Sequence, residues 1–333
     1  MTTMAHDAHE TVVGTTMDTT AARKAGAGLG LALLSALSFG LAGALGRGPL
    51  DAGWSPGAVT LVRVGLGALV VVPFGLAAMR GRWHLLRGNA VVVVGYGALA
   101  VAGAQFCYFS AVQHMKVAPA LLIEYTAPAV VVLWLWLRHG QRPGVVTLAG
   151  AGLAAAGLVL VIDLLSGGAD VDPVGVLWAL GAMVGLTAYF VISADEDNGL
   201  PPLALAAGGL LVGALLLGGL GVAGVLPLEA TTDDAVFRGY AVAWWVPLLG
   251  LGLVAAAVAY VTGIEASRRL GSRVASFVGL TEVLAAVVFA WLLLGELPTG
   301  VQLLGGVLIV AGVVVVRLGE GRTVAESPVP TQV

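Results

Sequence analysis

Three ionisable side chains lie inside long apolar stretches of this 333-residue chain: Arg63, Glu124 and Glu282. A charged side chain at the centre of a membrane helix costs about 2.5–3.5 kcal/mol on insertion scales, so such residues usually face a cavity or a partner. Either carboxylate could bind a substrate or take up a proton, and Arg63 could bind a substrate carboxylate through two hydrogen bonds. A structural role is equally open. Arg63 could fasten the second span to the fourth or the ninth, and Glu124 could be its buried partner or that of a hydroxyl.

Uncharged polar side chains accompany these groups in the same apolar stretches. Gln105 and Tyr108 are three residues apart and therefore share a helix face. Tyr125 directly follows Glu124, and Tyr189 lies in a later stretch. Each of them could contact a ligand, and each could instead form a hydrogen bond between helices. The candidate residues for substrate binding or coupling are Arg63, Gln105, Tyr108, Glu124, Tyr125, Tyr189 and Glu282.

The residues around Glu124 favour a site with room for a ligand. Ala120 and Pro128 lie one turn before and one turn after it, on the same helical face. A proline inside a span removes a backbone hydrogen bond and frees a carbonyl group.

The sequence lacks the residue patterns of several enzyme and cofactor classes. It contains no phosphate loop of the Walker type, so ATP is not the expected energy source. It contains no HExxH or GxSxG pattern, and its one cysteine, Cys107, excludes an internal disulfide. We therefore expect no enzymatic activity, no cofactor, no metal and no nucleic-acid partner.

The composition is typical of a membrane protein. Hydrophobic residues make up 59% of the chain and charged residues 11%, whereas a soluble domain carries roughly 25% charged residues. So few charges could not cover the surface of a water-soluble globule. The 49 glycines fit closely packed membrane helices, in which small residues let backbones approach.

Ten apolar stretches are long enough to cross a bilayer, since a spanning helix needs about 20 mostly apolar residues. They cover residues 26–46, 56–79, 89–111, 118–137, 143–162, 173–193, 201–225, 240–263, 274–294 and 298–317. Long runs without period-two alternation favour a helical bundle over a barrel. The polar ends predict a disordered tail over 1–25 and a second tail over 319–333.

Basic residues indicate the orientation, because Lys and Arg are concentrated in cytoplasmic loops. With the N-terminus in the cytoplasm, 12 of the 16 Lys and Arg residues fall on the inner side, 3 on the outer side, and Arg63 within a span. The connection between the sixth and seventh spans departs from the rule, since it carries the acidic run 195–197 and no basic residue. We expect a multi-pass protein of the plasma or inner membrane, with both termini in the cytoplasm.

The sequence repeats itself at a spacing of 155 residues. Segment 132–161, placed without gaps on 287–316, matches at 13 of 30 positions. The matches with specific backbone or interface chemistry include Trp136/Trp291, Gly140/Gly295, Pro143/Pro298, Gly150/Gly305 and Gly157/Gly312. The shift covers five spans, and because five is odd the second copy must sit inverted in the membrane.

The repeat predicts an all-α integral membrane protein of ten transmembrane helices, arranged as two inverted five-helix repeats over 26–165 and 172–318. Such halves enclose a site near the bilayer midplane, and by exchanging conformations they can open that site to either side. This alternating access is the mechanism of a secondary transporter.

Several stretches resemble the EamA-type transporters of the drug/metabolite transporter superfamily. They are SALSFGLAGALGRG at 35–48, SPGAVTLVRVGLGALVVVP at 55–73, ALLIEYTAPAVVVLWLWLRHGQRP at 120–143, and the run at 268–312 with Leu294, Gly295, Glu296, Pro298 and Gly305. The resemblance covers 26–317 and implies export of a small organic metabolite, such as an amino acid or a drug-like compound. Proton coupling of this export through Glu124 or Glu282 would be consistent with the resemblance. The second half has Val283 where the first has Pro128, which leaves a kink in the ninth span open.

Two other functional classes are alternatives to a transporter. A membrane-embedded enzyme acting on lipids would need a cluster of His, Asp or Cys at an interface, and the sequence offers none. A non-transporting scaffold or partner subunit would depend on its two tails, whose loss a transporter should tolerate. The partners we expect are a small-molecule substrate, the lipid bilayer and protons. The few charges inside the spans favour an apolar or zwitterionic substrate.

Overall fold

The computed structural model describes residues 4–114, 117–140, 142–161, 172–295 and 300–325, and these ranges are mostly helical, as the sequence predicts. In chain order the helices are α1 Met4–Asp51, α2 Pro56–Ala78, α3 Trp83–Gly88, α4 Ala90–His114, α5 Val117–Glu124, α6 Ala127–His139, α7 Val145–Val161, α8 Pro173–Ala194, α9 Pro202–Val222, α10 Trp245–Gly279, α11 Thr281–Leu294 and α12 Gly300–Ala325.

Length and composition show that the chain is a multi-pass membrane protein. Among the described helices, 6 are long and apolar enough to cross a membrane: α1 from Gly26 onward, α2, α4, α8, α9 and α10. Shorter apolar segments of 10–17 residues lie in α6, α7, α11 and α12. Taken in chain order, these long and short segments correspond to the ten predicted spans.

Local sequence explains where several helices begin. The Ser55 side chain accepts a hydrogen bond from the backbone N of Ala58 at 3.2 Å, and Asp172 accepts one from the backbone N of Val174 at 2.9 Å. A proline occupies the first turn of α2, α8 and α9. Proline suits that position because its missing N–H would have no partner within the helix.

The helical backbone extends beyond the outermost predicted spans. α1 begins at Met4 and therefore runs through most of the segment for which composition predicts a disordered tail. α12 ends at Ala325, beyond the expected start of the C-terminal tail at 319. Helical structure propagates from a span because each added residue completes one more hydrogen bond. Residues 1–3, 326–333, the connection 162–171 and the family-pattern positions Glu296 and Pro298 lie outside the described residues.

Two spans are broken at equivalent places in the repeat. The fourth breaks between α5 and α6, and the ninth between α10 and α11. At the first break Thr126 Oγ1 donates to the carbonyl oxygen of Ile123 at 2.6 Å, and at the second Thr281 Oγ1 donates to that of Val278 at 2.7 Å. Donors and acceptors are both 155 residues apart. The ninth span breaks although Val283 replaces the proline of the first half.

The eighth and ninth predicted spans are not separated by a polar loop. α10 continues from Trp245 to Gly279 and is interrupted at one residue, Gly271, with φ 77 and ψ 157. Glycine adopts this conformation without steric cost. Arg268, Arg269 and Arg273, which the charge pattern assigns to a loop, therefore flank a one-residue turn.

The connection from α9 to α10 contains a hairpin that the all-α interpretation did not include. Strands β1 Ala235–Phe237 and β2 Tyr240–Val242 pair antiparallel, so the eighth span begins after its predicted start at 240. Arg238 and Gly239 have φ 50 and 83, the positive values that a two-residue type I′ turn requires. The hairpin packs on Gly48 at the end of α1, where an added Cβ would lie 3.0 Å from that of Ala235.

Paired glycines hold α7 against α12. A Cβ added at Gly150 would lie 2.9 Å from the carbonyl oxygen of Gly312, and one added at Gly157 would lie 2.6 Å from that of Gly305. Gly305 is the repeat equivalent of Gly150, and Gly312 that of Gly157. The contact is therefore reciprocal, and because the numbers rise on one helix as they fall on the other, the two helices run antiparallel.

Candidate functional site

Two chambers meet inside the helix bundle. The Ser267 chamber, of about 50 Å³, is lined by Ser35, Tyr189, Tyr260 and Ser267 among others. The Arg47 chamber, of about 120 Å³, is lined by Arg47, Arg63, Tyr108 and Leu294 among others. Five side chains line both chambers and form the junction: Phe39, Gln105, Glu124, Tyr125 and Glu282.

The structure brings all seven sequence-predicted residues to the walls of these chambers. The junction contains four of them: Gln105, Glu124, Tyr125 and Glu282. Arg63 and Tyr108 line the Arg47 chamber only, and Tyr189 lines the Ser267 chamber only. The arrangement follows from the cost of burying polar groups in an apolar bundle, where they must share a cavity or pair with one another.

Arg63 connects three helices at the side of the junction. Its side chain is 1% exposed, and its guanidinium donates through Nη1 to the Gln105 side-chain oxygen on α4. Nη2 donates to the carbonyl oxygen of Ala255 on α10 at 2.7 Å. The guanidinium carbon also lies 5.8 Å from the centre of the Phe39 ring, within the range of a cation–π interaction.

The partners of Arg63 differ from those considered at the sequence level. A structural role for Arg63 pointed to the fourth or the ninth span as its partner, whereas the observed hydrogen bonds lead to the third and the eighth. Within the described residues neither Glu124 nor Glu282 approaches Arg63 to the 4.0 Å of an ion pair, although both interact with its charge at longer range. Arg63 thus fastens helices through neutral acceptors, and its Nε has no hydrogen-bond partner.

The two carboxylates stand beside the two helix breaks. Glu124 is the last residue of α5 and is 9% exposed, and Glu282 lies in the first turn of α11. A helix N-terminus favours a negative charge, which makes the first turn a suitable place for an acid. The Tyr125 hydroxyl lies beside the Glu282 carboxylate, and the two carboxylates are near enough to interact with each other. The breaks therefore aim both acids at the same space.

Stretches of π-helix position the backbone groups of the site. α4 is π-helical over Tyr96–Gly103 and α10 over Leu253–Val258. Such insertions are frequent at functional sites because they disturb the regular ladder of helix hydrogen bonds. Here they present two carbonyl groups inward, those of Ala100 and Ala255, which are 155 residues apart.

Tyr260 is a junction-side residue that sequence reasoning missed. It is 1% exposed, and its hydroxyl donates to the carbonyl oxygen of Ala100 at 3.0 Å. Its ring packs edge-on against Phe39, with ring centres 5.1 Å apart. The repeat could have found it, because Tyr260 lies 155 residues after the candidate Gln105.

Comparison with known proteins identifies the family. The profile of the EamA-like transporter family matches residues 26–163 and 173–318. An uncharacterized transporter of Archaeoglobus fulgidus is 30% identical over 257 residues, covering 77% of this chain and 85% of the relative. The threonine/homoserine exporter RhtA of Salmonella typhimurium is 26% identical over 284 residues, covering 84% of this chain and 86% of the relative.

A solved crystal structure supports the fold. It aligns with a TM-score of 0.67 and 23% identity, over 89% of this chain and 98% of the other. The family resemblance read from the sequence is confirmed by the profile match, which covers both predicted halves. The chain therefore belongs to the EamA-like transporter family.

Proposed function

We propose that this protein is a secondary transporter that exports a small amino acid from the cell, by alternating access and in exchange for protons. The observation that carries the proposal is the pair of carboxylates, Glu124 and Glu282, at the meeting point of two chambers, with Arg63 beside them on the wall of the Arg47 chamber. A relative that spans most of the chain is named as an exporter of threonine and homoserine, which favours an amino acid among the metabolites considered.

The charges of the site suit a zwitterion. Arg63 supplies one positive charge, and Glu124 and Glu282 supply two negative charges when both are ionised. Arg47, the other basic residue on the chamber walls, is paired with Asp51 at 3.0 Å. A substrate ammonium group could bind between the two acids, and the substrate carboxylate could turn toward the unpartnered Nε of Arg63.

The same charges suggest how substrate and proton could be exchanged. A buried group with one uncompensated negative charge is costly, and one added cation would neutralise it. That cation is a proton on one of the acids. The zwitterionic substrate adds no net charge, but its ammonium group binds the same carboxylates in their ionised form. Because both compete for the same carboxylates, proton entry favours substrate release.

Alternating access is supported by the features that the two halves share. Both halves break a span at a threonine hydroxyl bond, both carry a π-helical stretch, and α7 and α12 meet through reciprocal glycine contacts. We take these equivalences as the marks of two inverted five-helix repeats over 26–165 and 172–318. Each half could then adopt the conformation of the other, and this exchange would open one chamber while it closes the other chamber.

The proposed orientation decides which chamber faces which side of the membrane. With both termini in the cytoplasm, the Ser267 chamber lies toward the cytoplasm, and the Arg47 chamber with the hairpin lies toward the outside. This assignment rests on the excess of Lys and Arg in the connections on the cytoplasmic side.

The test is uptake of labelled threonine and homoserine into inside-out membrane vesicles with and without a pH gradient. We expect accumulation that needs the gradient and that is lost in Glu124→Gln and Glu282→Gln. Glu229→Gln, at an exposed position in the connection from α9 to α10, is the matched control and should transport normally. Gradient-dependent accumulation that survives both junction substitutions would show that coupling lies elsewhere. If neither threonine nor homoserine accumulates, the proposed amino acid substrate is rejected.

A further inference from the structure

Hydroxyl groups from Ser35, Tyr189 and Ser267 line the Ser267 chamber, in addition to those of Tyr125 and Tyr260. The Ser35 hydroxyl donates to the carbonyl oxygen of Ala259 at 2.8 Å, and the Tyr189 hydroxyl lies beside it. Ser267 is 1% exposed, and in the described part of the chain its Oγ is the one buried hydroxyl oxygen that has no hydrogen-bond partner.

The state of Ser267 contrasts with that of other hydroxyls in the spans. Thr60, Thr187 and Thr262 each donate to the carbonyl four residues earlier in their own helix, at 2.7, 2.8 and 2.8 Å. Ser267 forms no such bond. A buried polar atom without a partner is costly, and native proteins seldom keep one unless water or a ligand pairs with it. Its hydroxyl is therefore available to a group inside the chamber.

Gly263 gathers the hydroxyls on one side of the chamber. It lies one turn before Ser267 and on the same face of α10. A Cβ at this position would lie 2.6 Å from Ser35 Oγ and would overlap the Tyr189 hydroxyl. Without a side chain here, the Ser35 hydroxyl reaches the α10 backbone at Ala259, and the Tyr189 hydroxyl reaches it at Gly263.

The size and place of the chamber limit what it can hold. Its volume is about 50 Å³, and since one water needs about 10–15 Å³ on this measure, it has room for roughly three to five non-hydrogen atoms. Glu124 and Glu282 stand at its junction with the Arg47 chamber. An amino acid whose ammonium group binds at the junction can therefore place a short side chain in the Ser267 chamber.

We propose that the Ser267 chamber is the side-chain subsite of the transporter, and that Ser267 Oγ pairs with a hydroxyl group on the substrate side chain. This inference rests on the proposed function. It names the substrates as α-amino acids with short hydroxylated side chains. Isosteres that carry a methyl group in place of the hydroxyl are poor substrates because they leave Ser267 unpaired.

The test compares isosteric pairs, threonine against valine and homoserine against norvaline, in proteoliposomes that contain the full chain. For each pair the ratio of kcat/KM is measured in the native protein, in Ser267→Ala and in Ser267→Thr. We expect the native protein to prefer the hydroxylated member and Ser267→Ala to lower that preference about tenfold, as the loss of one hydrogen bond predicts. Ser267→Thr keeps a hydroxyl and should retain the preference.

Ser276→Ala is the matched control. Ser276 is a buried serine of the same helix whose hydroxyl bonds the carbonyl oxygen of Arg273, and its loss should leave both ratios unchanged. Active Ser267→Ala protein with native ratios would overturn the subsite and leave the transporter proposal standing. A native protein that carries no member of either pair would reject the amino acid substrate, and the subsite with it. Should Ser267→Ala fail to fold, Ser267→Cys takes its place, with the same expected loss of preference.

Discussion

Tyr260 donates its hydroxyl hydrogen to the carbonyl oxygen of Ala100 across 3.0 Å, and this bond connects the second half of the chain to the first. Ala255, the repeat equivalent of Ala100, accepts its own hydrogen bond from Arg63 at 2.7 Å, which connects the first half to the second. The π-helical stretches of α4 and α10 are thus each held by a side chain of the opposite half. The two bonds form a pair of braces across the site.

The Tyr260 brace can be removed without changing the packing of the ring. Tyr260→Phe should lower the free energy of unfolding by about 1 kcal/mol, the usual net contribution of one hydrogen bond, and somewhat more if the carbonyl of Ala100 finds no water. Thermal unfolding of the purified protein in detergent measures this. Tyr240→Phe, on the hairpin and 77% exposed, should leave the unfolding temperature unchanged. Equal stability of the two variants would mean that the Tyr260 bond contributes nothing net.

The Arg63 brace should be sensitive even to lysine. A lysine ammonium lacks the planar fork with which Arg63 reaches the Gln105 side chain and the Ala255 carbonyl together. We expect Arg63→Lys to reduce transport about tenfold or more, which corresponds to ~1.4 kcal/mol, and Arg63→Gln to abolish it. Arg82→Lys is the control, because Arg82 is exposed and makes a single bond to the Ala78 carbonyl. Native transport by Arg63→Lys would show that charge alone matters at this position.

The contact between α7 and α12 predicts a contrast between two glycines of one helix. A Cβ at Gly157 would meet the backbone of α12 at 2.6 Å, whereas one at Gly152 would have no atom within 4 Å. Gly157→Ala should therefore destabilise the protein by about 1–3 kcal/mol through overpacking. Gly152→Ala should be neutral or slightly stabilising, because alanine is the better helix former. Thermal unfolding of both variants is the measurement, and equal behaviour would contradict the close contact.

Orientation can be read with single cysteines in a Cys107→Ala background, which removes the native thiol. A cysteine at Asp233, beside the hairpin, should react in intact cells with a maleimide that cannot cross membranes. A cysteine at His84, in the connection between α2 and α4, should react only after the cells are opened. Both positions are exposed, so access to the reagent is decided by the side of the membrane. The opposite labelling pattern would invert the proposed orientation, and with it the side of the membrane that each chamber faces.

The sequence was sufficient to select residues for the site but not to pair them. The seven candidates stood out because polar groups inside apolar stretches need a cavity or a partner, and all seven line the two chambers. The partner of Arg63 could not be foreseen, because the carbonyl of Ala255 is exposed by a π-helical stretch that has no residue signature. Ser267 escaped notice because a serine near a span end is unremarkable until its missing hydrogen bond is seen.

The limits on predicting the fold were also local. Apolar runs gave the order of the helices, but Gly271 replaces an expected loop by a one-residue turn, and β2 occupies the expected start of the eighth span. Both features depend on single backbone conformations, which composition and periodicity do not encode. Equivalent glycines of the 155-residue repeat also share a backbone conformation. Gly140 and Gly295 both end helices in the left-handed conformation, with φ 67 and 81.

The reciprocal contact of Gly150 with Gly312 and of Gly157 with Gly305 is one that two identical helices would make around a two-fold axis. Two copies of a single five-helix chain, inserted into a membrane in opposite directions, would meet through the same glycines. In such a homodimeric ancestor every substitution on this helix would have changed both copies of the contact. A single chain is free of that restriction, and Gln105 and Tyr260, at equivalent positions, have different partners.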